Sequence, residues 1–301
     1  MKYSDLAMNA AEKLGVEYAD IRIQKTTEQV IFLQNLSLKH TSNNVLQGFG
    51  IRVFKDGAWG FAHSNVFSDE AVLATVKKAV ETATLSAEVN KTKKLRLAPE
   101  RSYISTYKTP VKIDPFSVPV SEKIDLMMEV SRTMLAYEGI KKTLLIMIMH
   151  KDEKLFASTL GTRLDLTTQF INPMITAVAV TESDSQSRTF DEGGRAVGWE
   201  WILELDLIDK AKQIAEEALI KVKADTLGAE ERRSLVLDPN HLGLTMHESV
   251  GHATELDRVL GWEADYAGVS FATPEKLNNY HYGSELINFV GDNTLEGGLA
   301  T

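Results

Sequence analysis

Apolar and polar positions change period several times along this chain. Residues 2–14 (KYSDLAMNAAEKL) carry apolar side chains at helical spacing and are stopped by Gly15, which predicts a helix. Tyr18 to Lys25 alternates with period two, and Val30 to Leu38 reads as a second strand. The run Gly48 to Phe54 leads into Asp56-Gly57, a pair suited to a two-residue hairpin turn, and would return along Ala58 to His63. Ser68 is placed to cap a helix from Asp69 to Ser86, with Val72, Val76, Ala79 and Ala83 as its apolar stripe. Residues 1–90 are therefore predicted to form a helix–antiparallel sheet–helix module.

Residues 91–118 are polar, hold Pro99, Pro110 and Pro115, and show no period, so they read as a linker. Ser121 is placed to cap a long helix with Ile124, Met127, Met128 and Leu135 on one face. From Lys141 the pattern turns to strands. KKTLLIMIMH precedes a predicted turn at Lys151-Asp152-Glu153-Lys154, LFASTL ends at Gly161, and Arg163 to Thr181 alternates over a long stretch. A further turn is marked by Asp191-Glu192-Gly193-Gly194. Strands joined this way suggest an antiparallel meander. Asp209 to Lys223 is amphipathic, Ser234 to Asp238 reads as a short buried strand stopped by Pro239, and Asn240 is placed to cap a further helix. Residues 119–301 form the second, mixed domain of an α+β fold. The two halves share a loose helix–strands–helix order without a convincing sequence repeat.

Composition narrows the function classes. The 301 residues are 44% hydrophobic and 25% charged, a soluble globular balance. A net charge of −9 disfavours direct nucleic-acid binding. With no cysteine, disulfides and thiolate metal ligands from this chain are excluded, in keeping with a cytoplasmic location. The longest apolar run, Leu144 to Met149, is too short to span a bilayer, and the N-terminus lacks the unbroken apolar stretch of a signal peptide.

The candidate chemistry sits in His247-Glu248-Ser249-Val250-Gly251-His252. Neutral imidazoles suit zinc, and a carboxylate beside the first can serve as the base of a metal-assisted hydrolysis. The spacing is unusual. Zinc-protease histidines four residues apart share a helix face, whereas five residues at ~100° each leave the rings ~140° apart on a regular α-helix. A single π turn or local unwinding would bring His252 back toward His247, and Gly251 would tolerate it. The spacing thus predicts an irregular helix. Histidines packed for structural reasons would give the same string. Glu255, Asp257, Glu263, Asp265 and His281 are secondary candidates to support the site, with surface charge or capping as the plainer reading. Trp59, Phe61 and Trp262 read as core aromatics.

Three stretches carry a family resemblance: LVLDPNHLGLTMHESVGHATELDRVLG, the N-terminal YADIRIQ with GFGIRVFKDGAWGFAHSN, and the late FVGDNTLEGG. Together they resemble the TldD/PmbA family, long called modulators of DNA gyrase, over essentially the whole chain. In that family the TldD branch has the His-Glu-x-x-x-His motif and acts as a zinc metalloprotease, and the PmbA branch lacks it and serves as a partner. The resemblance implies a TldD-type zinc peptidase with His247 and His252 as zinc ligands and Glu248 as catalytic base. It implies an extended or unfolded peptide substrate, bound as a strand inside a homodimer or a heterodimer with a PmbA-type paralogue. The family's third protein ligand is a cysteine of a C-terminal β-rich domain. Against that pattern, a chain without cysteine that stops at Thr301 reads as an N-terminal fragment with two of three ligands. A noncatalytic peptide-binding or partner subunit is the alternative this departure leaves open.

Overall fold

The computed structural model describes residues 2–89, 95–226, 228 and 232–299. By contacts the chain divides into Met1–Ala224 with Asn293–Thr301, and Asp225–Asp292. The first unit is α+β, as predicted. Helix α1 (Lys2–Lys13) precedes strands β1 (Tyr18–Gln34), β2 (Ser37–Lys55) and β3 (Ala58–Ser64), then helix α2 (Asp69–Val89). After β4 (Ile104–Lys108) the same order recurs as α3 (Val120–Leu135), β5 (Ile140–Ser158), β6 (Arg163–Val180), β7 (Ser185–Asp191), a short α4 (Glu200–Glu204) and α5 (Leu207–Lys221). The strands form one sheet in the order β3-β2-β1-β5-β6-β4, and β7 also pairs with β6. No helix among the described residues is long and apolar enough to cross a membrane.

Strand alternation explains the layering. On β1, Ala19 and Ile21 belong to the core under α1 and α2, while Ile31 and Leu33 belong to the core under α3 and α5. All four are odd-numbered, and residues two apart share a face. The same holds on β5, where Ala157 joins the first core and Leu145, Met147 and Met149 the second. Both cores therefore lie on one face of a continuous sheet. The join is the antiparallel β1–β5 pair, in register from Asp20↔Ser158 to Gln34↔Leu144.

Several sequence expectations hold. The Asp56-Gly57 turn joins β2 to β3 with both residues at positive φ (54° and 82°), and Ser68 Oγ accepts from the Ala71 N–H at 3.1 Å to cap α2. Others are corrected. No turn interrupts β5 at residues 151–154. Their polar groups are paired in the sheet instead: Asp152 accepts from Gln24 Nε2 at 2.9 Å and Thr26 Oγ1 at 2.5 Å, and Lys151 meets Asp114 at 2.9 Å. The stretch read as a linker contributes β4, parallel to Arg163–Thr167 of β6, and is tied down where Glu200 accepts from the Lys112 and Ile113 amides at 3.1 and 2.9 Å. Helix α3 begins at Val120, behind Pro119, so Ser121 lies within it and supplies no cap. Residues 234–238 pair with no strand among the described residues, leaving Leu235 and Val236 78% and 95% exposed. Phe61 and Trp262 are exposed rather than core, and Trp59 packs on Tyr18 and Phe54 at the surface.

Two buried contacts generate predictions. Gly60 lies so close to α2 that an added Cβ would sit 2.0 Å from the Ala79 carbonyl oxygen and 2.4 Å from the Ala83 nitrogen. Gly60→Ala should cost about 3 kcal/mol in denaturant unfolding; an unchanged midpoint would show that α2 is free to withdraw. Lys123 is fully buried, donates to Gln29 Oε1 at 2.6 Å, and lies 5.7 Å from the Trp199 ring centre. Burial lowers its ammonium pKa to about 8, against the opposing charge of Asp114. The folded value is below the unfolded one, so between pH 8 and ~10 the unfolded chain binds more protons and stability rises with pH. Measured unfolding free energies of the native chain minus those of Lys123→Met should increase across that window; a flat difference would contradict it.

Candidate metal centre

The motif lies in the unit Asp225–Asp292. Helix α6 (Pro239–Met246) is started by Asp238, whose carboxylate accepts from the Asn240 N–H at 3.0 Å, with Pro239 at the first helical position. Asp238, not Asn240, is therefore the cap. Proline lacks an N–H and suits the first turn, which fixes the cap one residue before it. The helix then widens into a π turn at His247–Gly251, closed by the His252 N–H on the His247 carbonyl. After α7 (His252–Thr254), Glu255 adopts extended torsions (φ −60°, ψ 121°) and a new short helix, α8 (Leu256–Val259), begins.

The π turn solves the five-residue spacing. A bond from i+5 back to i sets His252 above His247 instead of ~140° around the helix. The two ring centres are 4.3 Å apart, and the planes are inclined at 73°. Glu248 faces both, with Oε1 3.8 Å from His247 Nε2 and Oε2 3.9 Å from His252 Nε2. One ligand atom from each of the three lies within 4.8 Å of the others. Two imidazole donors at this separation, with a carboxylate beside them, suit a divalent cation. The side chains of His247 and Glu248 are 58% and 61% exposed, and that of His252 29%. Gly251 has ordinary right-handed torsions (φ −54°, ψ −64°), and an added Cβ would meet nothing nearer than the Met246 carbonyl at 4.0 Å. The bulge thus makes no steric demand for glycine there.

A widened turn leaves carbonyl groups without their usual helical donors. Side-chain hydroxyls donate to carbonyls in and beside this turn: Tyr282 to that of Ser249, Ser270 to that of Ala253 (2.5 Å), and Thr254 through one O–H shared between those of Val250 (2.9 Å) and Gly251 (3.2 Å). None of the three hydroxyls was singled out by sequence. Thr254 could have been, as a hydroxyl one turn beyond the bulge; Tyr282, 33 residues from Ser249, could not.

Of the secondary candidates, Glu255 reaches the site, accepting from His252 Nδ1 at 2.9 Å. Glu255, Asp257 and Glu263 also cluster, with Arg258 3.3 Å from Glu255 and 3.7 Å from Glu263 offsetting part of their charge. Asp265 and His281 join neither cluster. On the sheet, Arg22, Gln24, Gly48, Gly50, Phe61 and His63 line a groove of about 1030 Å³. A Cβ added at Gly50 would come 2.9 Å from the Phe61 ring, which would have to turn away.

Comparison with known proteins sets this chain in a family. Residues 19–83 match the PmbA/TldA metallopeptidase domain 1, and residues 113–224 match the PmbA/TldA metallopeptidase central domain. The two matches cover more than half of the chain. The chain belongs to the TldD/PmbA family. It is 29% identical over 290 residues to a metalloprotease of Methanocaldococcus jannaschii, spanning 95% of this chain and 60% of that protein. It is 27% identical over 284 residues to a metalloprotease of Methanothermobacter thermautotrophicus, spanning 94% of this chain and 58% of that protein. The chain thus spans about 60% of the length of these TldD/PmbA relatives. A Thermotoga maritima protein described as a candidate modulator of a DNA gyrase shares the fold, with a TM-score of 0.57 and 21% identity, over 75% of this chain and 49% of that one.

The hydroxyl bracing can be tested directly. Tyr282→Phe should expose the Ser249 carbonyl and speed hydrogen exchange of the His252 amide about fivefold, as expected for about 1 kcal/mol of lost hydrogen bonding. Exchange at the native rate would assign the support of the π turn to Thr254 and Ser270 alone.

Proposed function

We propose that this chain is a TldD-type zinc metallopeptidase component that hydrolyses extended or unfolded peptides. The observation that carries the reading is the convergence of His247, Glu248 and His252 on one side of the helix, achieved by a π turn that a five-residue spacing requires. Its membership in a family with metallopeptidase domains and its likeness to two archaeal metalloproteases support the same class of chemistry.

In this reading His247 and His252 hold the ion. When bound, zinc supplies Lewis acidity, polarising the scissile carbonyl and lowering the pKa of water. Glu248 takes up the proton of the attacking water on a carboxylate oxygen and passes it to the leaving amine. Its two oxygens face the two rings at nearly equal distance, 3.8 and 3.9 Å. The chain's 301 residues hold no cysteine, so it offers two imidazoles and leaves the remaining positions of the ion open to water, substrate or a group from elsewhere. The substrate binds as an extended strand through main-chain pairing. The assembly is a homodimer or a heterodimer with a PmbA-type paralogue, working in the cytoplasm without membrane or nucleic-acid contacts.

Metal content and cleavage of a denatured model polypeptide test the reading together. The native chain should hold about one zinc. His247→Ala and His252→Ala should lose it, and Glu248→Gln should retain it while cleavage falls by at least ~100-fold. A native chain that takes up no zinc, or a Glu248→Gln variant that cleaves at the native rate, would remove the proposed chemistry.

A further inference from the structure

We infer that Glu255 is a positioning residue that fixes the tautomer and orientation of His252 for metal binding, and that Arg258 holds it in place. The inference rests on the metal site proposed above.

An ionised carboxylate only accepts hydrogen bonds. Glu255 Oε1 lies 2.9 Å from His252 Nδ1, so the proton of a neutral His252 ring belongs on Nδ1. The lone pair is then on Nε2, the nitrogen that lies 3.9 Å from Glu248 on the side shared with His247. One contact thereby selects the tautomer and aims the donor atom. Metal-binding histidines commonly give their second nitrogen's proton to a carboxylate in this way, which also makes the ligating nitrogen more basic.

The backbone explains how Glu255 gets there. A residue three positions on lies on the same helix face, but an exposed glutamate there would be free to rotate away. Here the helix stops at Glu255, whose extended torsions start α8, and Arg258 on the next turn reaches back to Glu255 Oε2 at 3.3 Å. Arg258 is itself 18% exposed and also faces Glu263 at 3.7 Å. The other carboxylate oxygen is thereby engaged, and the orientation of Glu255 toward His252 is fixed. The chain order His252–Glu255–Arg258 is a relay of charge and geometry built from residues three apart.

The test uses the full chain with zinc alone as probe and two readouts. In the zinc-free native protein, nitrogen chemical shifts of His252 should report the Nδ1–H tautomer. Glu255→Ala should redistribute the tautomers and weaken zinc binding ~10–100-fold. Glu255→Gln, whose amide oxygen still accepts from Nδ1, should keep the tautomer and lose only part of the affinity. Unchanged amide spectra outside residues 239–283 would show that the variants remain folded. A native chain that binds zinc while Glu255→Ala binds it equally tightly with unaltered His252 shifts would overturn the inference and leave the metal site standing. A native chain that binds no zinc would instead overturn the metal site on which it rests.

Discussion

A single backbone hydrogen bond, from the His252 N–H to the His247 carbonyl, sets the geometry of the His247–Glu248–His252 group. It closes over five residues instead of four, and so places two rings 4.3 Å apart that a regular helix would hold on diverging faces. Side-chain hydroxyls brace the carbonyls in and just past this turn. The carbonyls of Ser249, Val250, Gly251 and Ala253 accept from hydroxyls of Tyr282, Thr254 and Ser270. Three hydroxyls thus serve four carbonyls in and just past the irregular turn, the single Thr254 O–H being shared between two of them. No described residue of 225–292 is buried, so these bonds, the Glu255–Arg258 pair and short-range packing shape the segment in place of a core.

The larger unit is organised by a different constraint. Pairing β1 with β5 over fifteen registered positions, from Asp20 to Gln34, makes two helix–strands–helix modules into one sheet. Odd-numbered residues of β1 and, past the register shift after Ile140, of β5 supply both cores, which lie side by side on one face. Polar groups that would break a lone strand are absorbed by this pairing. Asp152 bonds to Gln24 and Thr26 across β1–β5, and Lys151 meets Asp114 from the segment before α3. Lys123 is an exception within the core: its ammonium is buried against Gln29 and Trp199, with its pKa lowered to about 8.

Much of this was legible in the chain. The helices α1, α2, α3 and α5, the hairpin at Asp56-Gly57 and the strands flanking it follow from period, capping and turn chemistry, which act over a few residues. The irregular helix at the motif was legible for the same reason, because the ring spacing is a local quantity. The failures are equally physical. Lys151 to Lys154 has the composition of a turn, and only cross-strand partners make it a strand. Residues 104–108 have no period of their own and become a strand because β6 offers an edge. Ser234 to Asp238 has the pattern of a strand and finds no edge among the described residues.

The sequence by itself determined the motif, its ligand-type residues, the need for a wider turn, and the local elements that carry them, since each depends on neighbours within one or two turns of chain. Tertiary structure alone decided that the two modules share one sheet and one helical face, and that Tyr282 and Ser270 brace the π turn from a distance. It also selected Glu255, from five polar candidates near the motif, to sit on His252. Those outcomes depend on which groups meet after the chain has folded back on itself, and neither spacing nor composition encodes that meeting.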